Sequence, residues 1–264
     1  MMRSLWTAAT GMTGQQFNID TIANNLSNVN TTGFKQNRVD FEDLIYQTNR
    51  IAGTPATEQT VVPTGIQVGH GVKAAATSKM FTQGSLQNTG KVEDLAIVGE
   101  GFFRILQPDG TYSYTRNGAL QIDMNGELLD PNGYRVLPEV ILPEGFERDS
   151  FTVDQMGRAT VKVAGSDDPI QVAQMELFRF PNPAGLQAIG QNNFKMTNGS
   201  GEPIAGRPGT DGMGKLQHRM LEMSNVSVVQ EMVNMIVAQR AYELNSKAIQ
   251  TSDNMLGIAA GLKR

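Results

Sequence analysis

The first thirty residues place Leu5, Ala8, Met12, Ile19, Ile22, Leu26 and Val29 at alternating spacings of three and four, with Gln15 in the same row. That cadence is a heptad repeat, and it predicts an amphipathic helix with one face made for another helix. The remaining surface is unusual. Of the first 35 residues, 15 are Ser, Thr, Asn or Gln, whereas only Arg3, Asp20 and Lys35 are charged. A freely solvated helix carries more charge, and hydrogen-bonded neutral groups enter a protein contact at far lower cost than ions. Gly11, Gly14 and the threonines also weaken intrinsic helicity, so this arm is expected to fray until something packs on it.

The tail answers with a second row: Val237, Ala241, Leu244, Ala248, Thr251, Met255, Ile258 and Leu262, extended upstream by Val226, Val229 and Val233. A helix from about Asn225 to Leu262 would run roughly 57 Å. Ser227 with Gln230 fits a capping box, and Glu243 with Lys247 an i,i+4 ion pair. The two rows are expected to pair with each other, within one chain or between subunits.

Between the arms the pattern changes. From Gly84 to about Asn198 short β-prone runs (Leu95 to Val98, Phe102 to Leu106, Thr160 to Val163, Ile170 to Phe180) alternate with turn dipeptides. Asp109-Gly110, Asn117-Gly118, Asn125-Gly126 and Asn132-Gly133 each supply residues tolerant of positive φ, as tight hairpins require. Asn49 to Gly65, with Gly53, Pro55 and Pro63, lacks periodicity and is expected to be an extended or flexible loop. The predicted fold class is α+β: long N- and C-terminal helices forming a coiled-coil-like stem, with a central, mainly antiparallel β domain. The expected organisation is a stem of 1–35 and 222–264, connecting regions 36–84 and 199–221, and a β-rich outer domain 85–198.

Composition removes most chemistry. The 264 residues carry 22 basic and 26 acidic side chains, a net charge of −4, and no basic stripe that would follow a phosphate backbone. No cysteine is present, so disulfides and thiolate sites are excluded. His70 and His218 stand far apart and read as lone surface histidines. No run of about 20 apolar residues exists to span a membrane, and Thr7, Thr10 and Gly11 break the segment after Arg3 too early for a cleaved signal peptide. Gly99-Glu100-Gly101 lacks the third glycine of a dinucleotide fingerprint and reads as a strand corner. Asp123, Glu127, Asp130, Glu139 and Glu144 mostly flank turns, where solvated carboxylates are routine. No catalytic residue, cofactor, metal or nucleic-acid partner is expected.

The segment Asn24-Asn25-Leu26-Ser27-Asn28-Val29-Asn30-Thr31-Thr32-Gly33-Phe34-Lys35 resembles the signature of flagellar rod and hook proteins. Glu222-Met223-Ser224-Asn225-Val226-Ser227-Val228-Val229, with Gln239-Arg240-Ala241-Tyr242-Glu243, is similar to that family's C-terminal region. Gly99-Glu100-Gly101-Phe102-Phe103 and Tyr114-Thr115-Arg116-Asn117-Gly118 resemble the start of its β domain. Within the family, the length and the Asn49–Gly65 insertion look like the members that form the distal rod. The resemblance implies export by the flagellar type III apparatus, a periplasmic location in the basal body, and self-assembly into a helical tube that serves as a rigid drive shaft. It also implies contacts with proximal rod and hook proteins, the rod cap and surrounding bushing rings, and a stiffening role for the insertion. A sibling proximal rod or hook subunit is the nearest alternative, and a β-rich glycan-active enzyme or glycan-binding module the alternative of another class.

Overall fold

A computed structural model describes residues 2–53, 55–57, 60–61, 63–143, 145–163 and 168–261. They divide into two compact units, one of residues 1–27, 37–78 and 227–264 and the other of 28–36 and 79–226.

The first unit contains both helices, α1 (Met2–Ser27) and α2 (Val228–Gly261), and six strands. These are β1 (Asn37–Asp43), β2 (Tyr46–Arg50), β3 (Pro55–Thr57), β4 (Thr60–Val61), β5 (Ile66–Gly69) and β6 (Val72–Lys79). Strand β1 pairs with β6 and packs on α1, where the buried Gly14 lies against Phe41 and Val72. The described residues of the stretch Asn49 to Gly65, expected as an extended or flexible loop, lie instead within two nested antiparallel pairings, β2 with β5 and β3 with β4; residues 54, 58, 59 and 62 lie outside the described residues. Asn49 falls at the register shift between Thr48 and Arg50. Gly53 takes φ 84°, a left-handed conformation that glycine adopts without Cβ strain. A Cβ on Gly65 would stand 2.5 Å from the Arg50 carbonyl, so this hairpin needs glycine for closeness. Pro55 opens β3 and Pro63 is exposed just beyond β4. Every residue of β2 is exposed, which is why no apolar alternation announced it.

The second unit is antiparallel β. Its main sheet runs, in spatial order, Gln121–Ile122, Leu128–Leu129, Arg135–Leu137, Phe103–Leu106, Tyr112–Thr115, Asn193–Lys195 and Gln187–Gly190. A three-stranded sheet (Thr152–Val153, Arg158–Val161, Ile170–Gln174) and three strand pairs complete it, among them Leu95–Val98 with Lys215–His218 and Leu86–Asn88 with Met220–Glu222. The predicted run Ile170 to Phe180 therefore divides in two, with buried Met175 between its strands. One apolar core gathers Leu95, Ile97, Phe103, Ile105, Leu120, Phe151 and Leu216, and an aromatic cluster gathers Phe102, Tyr114, Phe178, Phe180 and Phe194. Gly99 and Gly101 take φ of 106° and 141°, so this sequence forms the glycine-dependent strand corner expected of it.

Three of the four turn dipeptides close hairpins. Gly110, Gly126 and Gly133 are left-handed, and their amides donate to the carbonyls of Gln107, Asp123 and Asp130. Asn117-Gly118 does something else. Gly118 is not left-handed, and a Cβ there would overlap the Leu95 carbonyl, so its glycine serves close backbone approach. The Asn117 side chain accepts from the Ala119 amide and the Thr32 hydroxyl.

Candidate functional site

In the first unit α1 and α2 pack antiparallel. Ser4 meets Ser252 hydroxyl to hydroxyl at 3.3 Å, Gly11 abuts Asn245, and Asn25 donates to Glu231 at 3.2 Å. Each step along α1 is matched by the opposite step along α2, so these pairs define a single register. The seam is a heptad row on α1 of Ser4, Ala8, Gly11, Gln15, Asn18, Ile22 and Asn25, answered on α2 by Glu231, Ala238, Asn245 and Ser252. It consists largely of small and polar residues, so hydropathy did not reveal it; the 4-3 spacing alone would have done so.

The predicted apolar rows consequently do not face each other within one chain. On α1 Ile22 is buried, Leu5, Met12, Ile19 and Leu26 are half-buried, and Val29, past the helix end, is half-buried. On α2 Ala241 is half-buried, but Val237, Leu244 and Ile258 are 62%, 66% and 66% exposed, and Ala248 and Met255 are exposed as well. Leu262 lies outside the described residues. Val229, Val233 and Ile236 extend the exposed row at 73%, 50% and 58%. Glu243 pairs with Arg240 at 2.8 Å, not with the expected Lys247.

The signature segment spans the end of α1 and the second unit. Asn24 and Ser27 lie on the last turns of α1, where the Ser27 hydroxyl donates to the Asn24 carbonyl. Asn25 is buried, and its amide exchanges two hydrogen bonds with the Asn37 backbone at 2.8 and 2.9 Å. Past the helix, Asn28 accepts at its carbonyl from Thr31, and Asn30 lies in the exposed turn. Gly33 is left-handed (φ 70°), and a Cβ there would sit 2.8 Å from the Asn117 amide nitrogen. Thr32 donates to Asn117 and accepts from Asn192, while Phe34 lies beneath the Lys79 ammonium.

Lys35 ends the segment fully buried. Its ammonium donates to Glu222 at 2.6 Å and to the Thr82 carbonyl at 2.7 Å. The Glu222 carboxylate also accepts from Arg116 at 2.9 Å and from the Gly84 amide at 3.0 Å. Arg116 spends its remaining donors on the carbonyls of Ile97, Gly99 and Gly101. Burial pushes the Glu222 carboxyl up, but Arg116 and Lys35 together outweigh it and hold the group below its ordinary value. Burial, reinforced by Arg116, pulls the Lys35 ammonium down against the opposing pull of Glu222. The C-terminal signature closes the same knot: the Asn225 side chain accepts from the Gln36 amide and donates to the Met80 and Thr82 carbonyls, and Ser224 caps Val226. Lys35, Arg116 and Glu222 each lie in a motif segment, but their meeting is not legible in the sequence, because three charges 81 and 106 residues apart look like surface residues.

Among the described residues the remaining histidines and carboxylates are scattered. His218 is half-buried, not a surface residue: its Nε2 lies 2.7 Å from the Val92 carbonyl and its ring against Phe151, and burial holds its pKa down. His70 is also half-buried. Glu127 pairs with Arg135 at 2.8 Å and Glu139 lies 3.8 Å from the same guanidinium; Asp130 is buried beside Asn132, and Glu144 lies outside the described residues. Among the described residues no His/Asp/Glu group could hold a metal ion, and no helix is long and apolar enough to cross a membrane.

Three family models match: "Flagella basal body rod protein" over residues 5–35, "Flagellar hook protein FlgE/F/G D1 domain" over 96–161 and "Flagellar basal body rod FlgEFG protein C-terminal" over 217–262. The flagellar basal-body rod protein FlgG of Borreliella burgdorferi is 62% identical over the whole of both chains, and that of Buchnera aphidicola subsp. Schizaphis graminum is 45% identical over 97% of this chain and 98% of its own. The flagellar hook protein FlgE of Helicobacter mustelae shares 46% identity over 52% of this chain and 30% of its own length. With end-to-end identity of that order, the chain belongs to the flagellar basal-body rod proteins, a structural family rather than an enzyme family.

Proposed function

We propose that the protein is a distal rod subunit that polymerises through α1 and α2 into a helical tube, with the β-rich unit as its outer layer. Residues 1–35 and 222–264 supply the polymerisation elements, and the tube serves as a drive shaft and as the wall of the export channel. One observation carries the reading: α2 is packed by α1 on one side yet keeps Val229, Val233, Val237, Leu244 and Ile258 exposed in a row on the other. A contiguous row of this kind on a helix is an interaction surface, and repetition of a contact between two different faces yields an open helical polymer. Export by the flagellar type III apparatus without signal-peptide cleavage, a periplasmic position, and contacts with proximal rod, hook, rod-cap and bushing-ring proteins belong to the same proposal.

Leu244→Asp in the full chain tests it. The variant should fold as a monomer with unchanged helical circular dichroism and should leave cells without complete rods in electron micrographs of basal bodies. Normal rods would overturn the reading. Deleting Thr54 to Thr64 separates the distal rod from a sibling subunit: the distal reading requires bent or fragile rods, and intact straight rods would place the chain elsewhere in the axis.

A further inference from the structure

The outward face of α1 is as unusual as that of α2. Trp6 is 70% and Phe17 42% exposed, and their spacing of eleven residues, about three turns, puts both rings on one side. Asp20, one turn beyond Phe17, is exposed, is the only acidic residue in α1, and forms no ion pair among the described residues. On the exposed row of α2 the cations are Arg240, already engaged by Glu243, and Lys247, which is exposed and has no carboxylate within ion-pair distance among the described residues. The stem register sets Asp20 level with Ile236, eleven residues from Lys247. That is about 16 Å at 1.5 Å per residue, so the two charges do not meet within one chain.

We infer that the α1 face of one copy, Trp6, Phe17 and Asp20, docks on the α2 row of a second copy, with Asp20 pairing with its Lys247. The inference rests on the polymer reading above and names the two faces that join. An aromatic-and-acid face against an aliphatic-and-cation face is complementary, and because the faces differ the contact is heterologous and does not close on itself as a two-fold dimer would. The overhang fits as well: in the observed register α2 continues past the start of α1 from about Met255, leaving the 66% exposed Ile258 for the aromatic end of a neighbour's α1.

A charge swap in the full-length protein is the test, read as complete basal bodies per cell by electron microscopy. Asp20→Lys and Lys247→Glu should each lower the number at least tenfold, and the two together should restore it to within about twofold of the parent. Because the chain contains no cysteine, Asp20→Cys in one tagged copy and Lys247→Cys in a co-expressed copy should give an inter-chain disulfide in isolated basal bodies after mild oxidation. Single variants without effect, or a swap that restores nothing together with no cross-link, overturn the inference. Leu244→Asp run alongside separates the two levels: if it blocks rods while the swap fails, the polymer reading stands and only this pairing falls, and if it has no effect both fall.

Discussion

Replacing Glu222 with Gln should cost the β-rich unit about 3–5 kcal/mol, the range found when one partner of a buried ion pair is removed. The carboxylate is fully buried and satisfies Lys35 at 2.6 Å, Arg116 at 2.9 Å and the Gly84 amide at 3.0 Å. Glutamine keeps the shape but leaves two buried cations without their shared anion and turns an NH2 group towards donors. Since a domain's total stability is typically about 5–15 kcal/mol, such a loss is large enough to read from urea melts followed by near-ultraviolet circular dichroism of the tyrosines. Lys35→Met in the Glu222→Gln background removes the orphaned ammonium, so the two changes together should cost less than their sum. The pH profile gives an independent reading. The carboxyl, near 4.3 in an unfolded chain, is held lower when folded. The unfolded chain therefore binds more protons as pH falls, so the stabilisation is complete above about pH 4.3 and is lost as pH descends through the folded value. Glu222→Gln should flatten that part of the acid transition. A loss below about 1 kcal/mol, as for an exposed pair, with an unchanged acid limb would refute the account.

Gly33→Ala should destabilise the same unit by about 2 kcal/mol or more, since it adds left-handed strain to a contact with the Asn117 backbone; a melt within 0.5 kcal/mol of the parent, on the order of an ordinary surface change, would contradict this. His218, half-buried against Phe151 with a lowered pKa, should make stability fall as pH drops below about 6.5, because the unfolded chain takes up a proton that the folded one resists. His218→Gln should remove that slope, which comparison of melts at pH 7.5 and 5.5 would show. A chain trimmed to residues 28–226 should keep its β-unit hydrogen-exchange protection, whereas one trimmed to 37–221 should lose it, because the second cut deletes Lys35 and Glu222.

The helices were legible because their burial is periodic, the strand Leu95–Val98 because it is a short unbroken apolar run, buried from Leu95 through Ile97, and the three hairpin glycines because left-handed backbone restricts residue choice. Other features shared their sequence signals with something else. Asn-Gly reads the same whether glycine supplies φ, as at Gly126, or room for a neighbouring carbonyl, as at Gly118. The β2–β5 pairing has an exposed strand and so no alternation to read. The α1–α2 seam is built from Ser4, Gly11, Asn25, Asn245 and Ser252, residues that hydropathy assigns to the solvent side. The 4-3 spacing is legible in both arms, but on α1 the seam runs through Ser4, Gly11, Asn18 and Asn25, one position off the apolar row, and the rule that apolar rows face each other within a chain assumes that the chain is the complete folding unit.

That polar seam and the exposed row make sense together. Buried small and hydrogen-bonded residues fix a helix pair in one register while contributing little affinity, as single polar core positions do in coiled coils. If the apolar rows paired internally instead, the chain would satisfy itself and have nothing left for a neighbour. Val229, Val233, Ile236, Val237, Leu244 and Ile258 are at least half exposed, and covering them would contribute on the order of 10 kcal/mol per copy. The translational and rotational cost of joining two molecules is about 4–15 kcal/mol, so one such contact in solution is close to break-even. A subunit that meets several neighbours at once, as at the end of a growing tube, incurs that cost only once while burying more than one face. The same row can therefore leave a free monomer soluble and still commit it to the polymer at the tip.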